Sequence, residues 1–414
     1  MIELHGITWD HPRGHAPLAA TAAAYMRDHS DVAIHWDRRS LQAFADYPIA
    51  RLAARYDLIV IDHPHVGAAA AQGCLAPLDR YLSAELLADQ EMGSVGPSNP
   101  SYIYAGHQWA LAIDAAAQVA AYRPDLLERI GADVPRTWDD VLALARVLRG
   151  DGRGRVAVPL IPVDTLMCFC TLCANAGEDP FADPDRVVGR PVGRYALGLL
   201  RALREACHPA SMGWNPPALL DRMGETDEIV YCPLAFGYVS YARPGFRRRT
   251  VRFANIPGRG GGGPRGAILG GTGLAVSACA RRLDVACDYA AYVASADVQR
   301  GAYVDAGGQP GHRAAWIDAR VNAATGNFFV GTLDTLDRAY TRPCYDGYMA
   351  VQEGVALALH AFLREGGDPD AVLATLDDIH RTGRRAERDG TAKGDNGTRA
   401  RGSPSPPDDD APMR

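Results

Sequence analysis

Apolar and polar positions alternate over residues 2–9, which predicts a first β-strand running into a polar loop, Asp10-His11-Pro12-Arg13-Gly14. Residues 17–28 set Leu18, Ala22, Tyr25 and Met26 on one side, the spacing of an amphipathic helix. Residues 32–36 read as a second strand, and residues 41–55 as a helix broken near Pro48. Residues 57–62 (Asp-Leu-Ile-Val-Ile-Asp) form a short continuous apolar run, the pattern of a strand buried on both faces of a parallel sheet. Strand, helix, strand, helix, strand at this spacing predicts an α/β fold. Ligands of such sheets sit beyond the carboxyl ends of the strands. Those ends are residues 9–13, 37–39 and 62–65.

Further along, Thr137-Trp-Asp-Asp140 reads as a capping box, with Val141, Leu144, Ala145 and Leu148 following at helical spacing. Gly152 and Gly154 break the chain, and a second α/β region follows. Residues 166–174 read as a buried helix, residues 258–266 as a glycine-rich loop, and residues 283–298 and 349–364 as helices. From about Thr382 apolar residues nearly vanish, which predicts a disordered tail. No internal repeat is visible.

The chain has 414 residues, 47% apolar and 22% charged. That is ordinary globular composition, long enough for two or three domains whose cores need no disulfide or metal to fold. Net charge is −6. It argues against a general nucleic-acid binder and gives no cue for an anionic membrane surface. The one lysine is Lys393, in the tail. The body therefore lacks a Schiff-base lysine, a P-loop lysine, a Ser-Lys nucleophile and a kinase-type strand lysine. The nine cysteines are odd in number, and the only cluster, Cys168, Cys170 and Cys173, has no matching second cluster for zinc. Core packing is the expected role, and free thiols point to a reducing compartment. No basic-then-apolar leader pattern opens the sequence. Residues 156–176 are interrupted by Pro159, Pro162 and Asp164, so no membrane insertion is expected. The expectation is a cytoplasmic protein as the sequence stands, or a periplasmic one if the true start lies upstream.

Three stretches, taken in order, resemble the bacterial extracellular solute-binding proteins of family 1, the sugar-type substrate-binding proteins of ABC importers. The first is residues 56–62 followed by Gly73-Cys-Leu-Ala-Pro-Leu-Asp79. The second is Gly106-His-Gln-Trp-Ala-Leu-Ala-Ile-Asp114, then Tyr122-Arg-Pro-Asp-Leu-Leu127, Gly131 and Pro135-Arg-Thr-Trp-Asp139. The third is Ile256-Pro-Gly258, Gly270-Gly271-Thr272, residues 290–304 and Gly308-Gln-Pro-Gly311. Ala112-Ile113 departs from the family's Leu-Pro, and the family's leader or lipobox is not seen. The resemblance covers roughly residues 1–380. It implies a two-lobed α/β fold of the periplasmic-binding-protein type II, with a hinge and an interlobe cleft. Residues 1–114 and 271–325 would form the first lobe, residues 115–270 and 326–380 the second, and 381–414 the tail. Crossovers would fall near Ala115 and Gly270. The implied role is a non-enzymatic solute-binding protein, partnered by permease subunits and closing on a small polar ligand: a sugar, a sugar acid or another organic anion.

Candidate ligand residues sit at the predicted strand ends. Trp9 offers a stacking face, and Asp10, His11 and Arg13 offer hydrogen bonds; an ordinary strand-end loop is the alternative. Asp37 and Arg38 end the second strand, where a solvated turn competes. Asp62, His63 and His65 suit ligand contact, with an Asp-His-x-His metal site or a plain loop as other outcomes. Asp114 matches the signature aspartate, for ligand or for a structural turn. The segment 231–238 resembles the family's cleft-lining stretch and offers Tyr231, Phe236 and Tyr238, one alternate set of which would be core. Trp214 is a further loop aromatic, and Gly271 and Thr272 offer backbone and hydroxyl contacts. The 258–266 loop, with Arg259 and Arg265, lacks P-loop residues and reads as a flexible interlobe connection. The arginines and histidines near the implied cleft tilt the ligand toward an anion. No cofactor or metal is expected. The alternative function is a cytosolic enzyme or ligand sensor on the same fold, with thiaminase-like chemistry at Cys232 and Glu225 or Glu228 as base.

Overall fold

The computed structural model describes residues 1–41, 48–152 and 154–398, with the side chains of 151 and 386–398 outside that description. Its strands are β1 (Ile2–Trp9), β2 (Val32–Arg39), β3 (Leu58–Ile61), β4 (Ile103–Tyr104), β5 (His107–Gln108), β6 (Leu111–Tyr122), β7 (Arg155–Val156), β8 (Ile229–Phe236), β9 (Arg252–Ala254) and β10 (Leu269–Val276). The main sheet runs β2-β1-β3-β10-β6-β8-β7, with β9 also on β6. β1 is parallel to β2 and β3, as the apolar run at residues 57–62 predicts. β10 is antiparallel to both β3 and β6.

β6 is what makes one sheet serve two lobes. Its first half pairs with β10 and its second half with β8 and β9. Ala112 packs in a core beside Ile7, Ile59 and Ile61, and Ile113 in a core with Leu4, Leu58 and Val60 on the other face of the same strands. From Ala115 onward the strand enters a third, larger core. That core is built by the helices Trp138–Asp151, Pro162–Asn175, Arg190–Ala206 and Tyr348–Glu365. Val304, Trp316 and Val321 also pack there. Side chains on both halves of β6 are small (nine of twelve positions are buried Ala, Leu, Ile or Val in a nearly unbroken run), so sheet and helices approach closely.

Local chemistry explains most element ends. His11 caps the helix Pro12–Asp28 through Nδ1, which accepts from the Arg13 N–H at 3.1 Å, and Pro12 fits the first turn. The helix therefore starts five residues before the stripe beginning at residue 17. β2 extends past Trp36 to Arg39 because all eight residues find partners on β1. Of the helix predicted over residues 41–55, Ile49–Ala53 is helical, and residues 42–47 lie outside the described residues. Thr137 and Asp140 form the expected capping box on Trp138–Asp151, which ends at left-handed Gly152. The helix Pro162–Asn175 buries Cys168, Cys170 and Cys173 completely. The tail departs from expectation: a helix runs from Pro369 to Thr398, while 399–414 lie outside the described residues. Leu373 and Leu376 anchor its start in the third core. No described helix is long and apolar enough to cross a membrane.

Candidate ligand-binding cleft

β1 turns sharply into the helix Pro12–Asp28, and a Cβ on Gly14 would lie 2.5 Å from the Trp9 ring. That turn drives Arg13 inward, where it is 4% exposed. Its Nε donates to Asp114 Oδ2 at 2.8 Å, its Nη2 meets Asp114 Oδ1, and its Nη1 donates to the Gly237 carbonyl at 2.8 Å. The guanidinium also lies 4.7 Å over the Tyr238 ring. Burial disfavours the charge on Arg13, but the Asp114 carboxylate outweighs it and holds the pKa above its ordinary value. Burial pushes the Asp114 carboxyl upward while Arg13 pulls it back.

A second pair spans the lobes at the end of β3. Asp62 accepts from the His63 N–H at 2.9 Å and from Arg342 Nη2 at 2.6 Å. Arg342 Nη1 donates to Gln352 Oε1 at 3.0 Å on the helix Tyr348–Glu365. Burial opposes ionisation of Asp62, yet Arg342 and His63 hold its carboxyl well below the usual carboxylate range. Next to this pair the lobes touch: a Cβ on Gly67 would lie 1.8 Å from the Cys344 carbonyl oxygen.

Between the lobes lies a cleft of about 620 Å³, within the usual range of small-molecule sites. Its floor holds Trp9, Arg13, Asp62, His65, Gly271, Thr272 and Arg342. Thr272 opposes Asp114 in the β10–β6 register. Gly271 sits at φ +98°, where a Cβ would be 2.3 Å from the Asp114 carbonyl, so only glycine fits there. The second-lobe wall is apolar, with Ile161, Pro162, Val163, Met167, Met349 and Leu357. Leu41, Val163 and Leu357 expose 38%, 38% and 55% of their surface at this cleft.

One carboxyl in this wall is unlike the others. Asp164, in the first turn of Pro162–Asn175, is 4% exposed and lines the cleft. Among the described residues its carboxyl has no hydrogen-bond or ion-pair partner, and the same holds for the hydrogen bonding of Thr272 Oγ1 and Arg342 Nε. Burial alone pushes the Asp164 carboxyl up to about 8.

Of the residues proposed from sequence, Trp9, Arg13, Asp62, His65, Phe236, Tyr238, Gly271 and Thr272 line the cleft. The others do not. Asp10 and Arg38 pair with each other at 3.3 Å on the exposed surface, because the end of β2 faces outward. Asp37 is exposed and accepts from the Tyr56 hydroxyl at 2.8 Å. His11 turns its ring to Tyr238, centroids 4.9 Å apart, and burial lowers its pKa to about 4. His63 lies fully buried beneath the floor, and burial lowers its pKa as well. Asp114 is buried under Arg13. Trp214 stacks on His208 at 4.8 Å instead of facing the cleft. Tyr231 is fully buried in the third, larger core. Cys232 is buried with it, and burial pushes its thiol well above the ordinary range, so it is no nucleophile. Among the described residues no group of His, Cys, Asp or Glu could hold a metal ion.

The glycine-rich loop is a correction. It is anchored within the second lobe, Gly258 N–H to Arg136 O and Gly266 N–H to Arg338 O, each at 2.8 Å, and Arg259 stacks on Tyr195. The sequence reading missed Asp164, Arg342, Gln352 and the apolar wall. Asp164 was visible as the acidic residue interrupting an apolar stretch. Arg342, far along the chain, carried no local signal.

The profile described as bacterial extracellular solute-binding protein matches residues 9–168. No curated protein sequence matches the chain. Among solved structures, maltose-bound MalE3 of T. maritima is 18% identical, with 92% of this chain and 100% of that chain covered at a TM-score of 0.79. The GacH receptor of Streptomyces glaucescens, solved unliganded and with acarbose, is 18% identical over 93% and 99%, TM-score 0.76. A Thermotoga lettingae ABC transporter solute-binding protein bound with α-D-tagatose is 16% identical over 93% and 100%, TM-score 0.77.

Two outcomes test the geometry. Arg13→Met leaves Asp114 buried and unpaired and is expected to lower unfolding free energy by about 3–5 kcal/mol. Adding Asp114→Leu should restore much of the loss; a double variant as unstable as the single one would contradict the pairing. For Asp164, a folded-state pKa raised above the unfolded one means the native state binds the extra proton. Wild-type stability should therefore fall relative to Asp164→Asn as pH rises from about 4 to about 8. Parallel denaturation curves across that range would contradict it. Residues 9–168 thus carry the sequence signature of the bacterial extracellular solute-binding proteins, and the described chain has the two-lobed α/β fold of these solved sugar-binding structures.

Proposed function

We propose that the protein is the solute-binding component of an ABC-type importer and that its solute is a neutral, polyhydroxylated molecule with an apolar face, in the class of sugars and sugar alcohols. The observation that carries this is the pairing of the cleft's charges. Arg13 is matched by Asp114 and Arg342 by Asp62, so the floor offers N–H groups without an unbalanced cation. Arg38 and His11, which favoured an anionic solute in the sequence, lie outside the cleft. A protonated Asp164 both donates and accepts hydrogen bonds, as hydroxyl groups require. The wall of Ile161, Val163, Met349 and Leu357 suits the C–H face of such a ligand. The matching structures bound with maltose, acarbose and tagatose support the same class.

On this reading no covalent chemistry is needed: affinity comes from preorganised hydrogen bonds and apolar burial, and closure of the lobes excludes water. The partners would be the permease subunits, and the working compartment would lie outside the cytoplasmic membrane, not in the cytoplasm. The enzyme alternative loses its nucleophile with Cys232 in the core.

A thermal-shift series tests it. Maltose, ribitol, tagatose and related neutral solutes should include at least one that raises Tm, by an amount equivalent to about 2.7 kcal/mol at a hundredfold excess over Kd. Asp164→Ala should weaken that ligand about 10- to 100-fold, and Asp164→Asn less. A series in which only sugar acids or other organic anions raise Tm would overturn the neutral-solute reading.

A further inference from the structure

One strip of the cleft wall is longer and more apolar than a sugar ring requires. On the helix Tyr348–Glu365, Met349, Gln352, Glu353, Ala356 and Leu357 line the cleft. Their spacing is that of a single helix face. Met349 and Leu357 are eight positions apart, about 12 Å along the axis at about 1.5 Å per residue. The helix Pro162–Asn175 packs against this one and adds Ile161, Pro162 and Val163 to the same wall. His360 Nδ1 donates to Leu160 O at 2.9 Å, which ties the two segments together three residues from Leu357 and three from Val163.

The polar side chains around the strip are engaged elsewhere or face water. Gln352 Oε1 accepts from Arg342 Nη1 at 3.0 Å, and Asn215 Oδ1 accepts from the Ala218 N–H at 3.0 Å. Glu353 is exposed. Thr272, Arg342 and Asp164 offer hydrogen bonds to a solute, whereas the side chains of Pro162, Val163, Ala356 and Leu357 offer none. A sugar hydroxyl pressed against that surface would lose water without gaining a partner.

Exposure singles out the same strip. Among the described residues ten large apolar side chains are exposed, and three of them, Leu41, Val163 and Leu357, line this one cleft. Scattered exposed apolar residues are ordinary, but their concentration in a binding cleft marks a contact surface. Leu41 comes from the first lobe, so both lobes bring aliphatic groups to the solute.

We propose that the solute is an amphiphilic glycoside, a neutral sugar whose aglycone is an aliphatic chain lying along Met349, Leu357 and Val163. This rests on the neutral-solute reading of the same cleft. The sugar takes the hydrogen bonds of Thr272, Arg342 and Asp164, and the chain leaves water against the strip. Each fully buried methylene is worth about a fourfold gain in affinity.

Calorimetric titration of the full chain with methyl and hexyl glycosides of glucose, galactose and maltose tests this. In the series whose sugar binds, the hexyl member is expected to bind about 30-fold tighter than the methyl member or better, the added methylenes being partly buried. Val163→Asn combined with Leu357→Asn, both at exposed positions, should cut that ratio to about threefold, while Val163→Ile with Leu357→Met should keep it. Equal affinities of the methyl and hexyl members, or a hexyl advantage that the double Asn variant leaves intact, would overturn the inference and leave the neutral-solute reading standing. Silence of all the glycosides together with free maltose, ribitol and tagatose would overturn that reading, and this inference with it.

Discussion

A buried arginine has to be matched, and Arg13 is matched by both sides of the cleft. Its guanidinium holds Asp114 on β6 and the Gly237 carbonyl of the second lobe. Removing both charges from water is costly, and the bidentate geometry with a third acceptor offsets that cost only when all partners are in place. The end of β1, the helix Pro12–Asp28, the crossover strand and the segment after β8 are therefore placed relative to one another by a single side chain. Gln309 adds a neutral version of the same tie. Its amide donates to Ala115 O at 2.8 Å and accepts from the Val239 N–H at 3.0 Å. Asp62 and Arg342 make a second buried pair at the same cleft.

That arrangement decides what the cleft can recognise. Its arginines are engaged with carboxylates before any solute arrives, so an anion finds donors but little net charge. The groups left over are polar and close to neutral: the Thr272 hydroxyl, Arg342 Nε and the Asp164 carboxyl. Around Asp164 the wall is aliphatic, and Trp9, Phe236 and Tyr238 are the aromatic contributions to the cleft. A carbohydrate presents the same division, hydroxyl groups on its rim and C–H groups on its faces.

The sequence was most legible where one local rule governs. Residues 57–62 could only be a buried strand, and the Thr137–Asp140 box could only start a helix; both are where the pattern put them. Strand ends were correct as the location of the cleft, because parallel strands in α/β sheets all deliver their carboxyl ends to one side. Which side chains face it was less legible. Alternation assigns Trp9 and Asp10 to different faces, but only packing shows that Asp10 goes outward to Arg38. Tyr231 and Phe236 lie on β8 and Tyr238 two residues beyond it, and only the packing shows that Phe236 and Tyr238 reach the cleft while Tyr231 does not. Arg342 and Asp62 are 280 positions apart and meet only in three dimensions. The helix that starts at Pro369 was not read from the sequence, because Leu373 and Leu376 dock its start on a core built by other elements.

The central claim, that the cleft takes up a neutral polyhydroxylated solute without transforming it, is tested most directly by the mass of what the protein carries. Native mass spectrometry of gently purified protein, followed by denaturing release, reads this without any assumption about the ligand. An intact neutral carbohydrate or polyol, lost completely on denaturation, is the predicted result. A released organic anion, or an adduct that stays covalently attached after denaturation, would contradict the account.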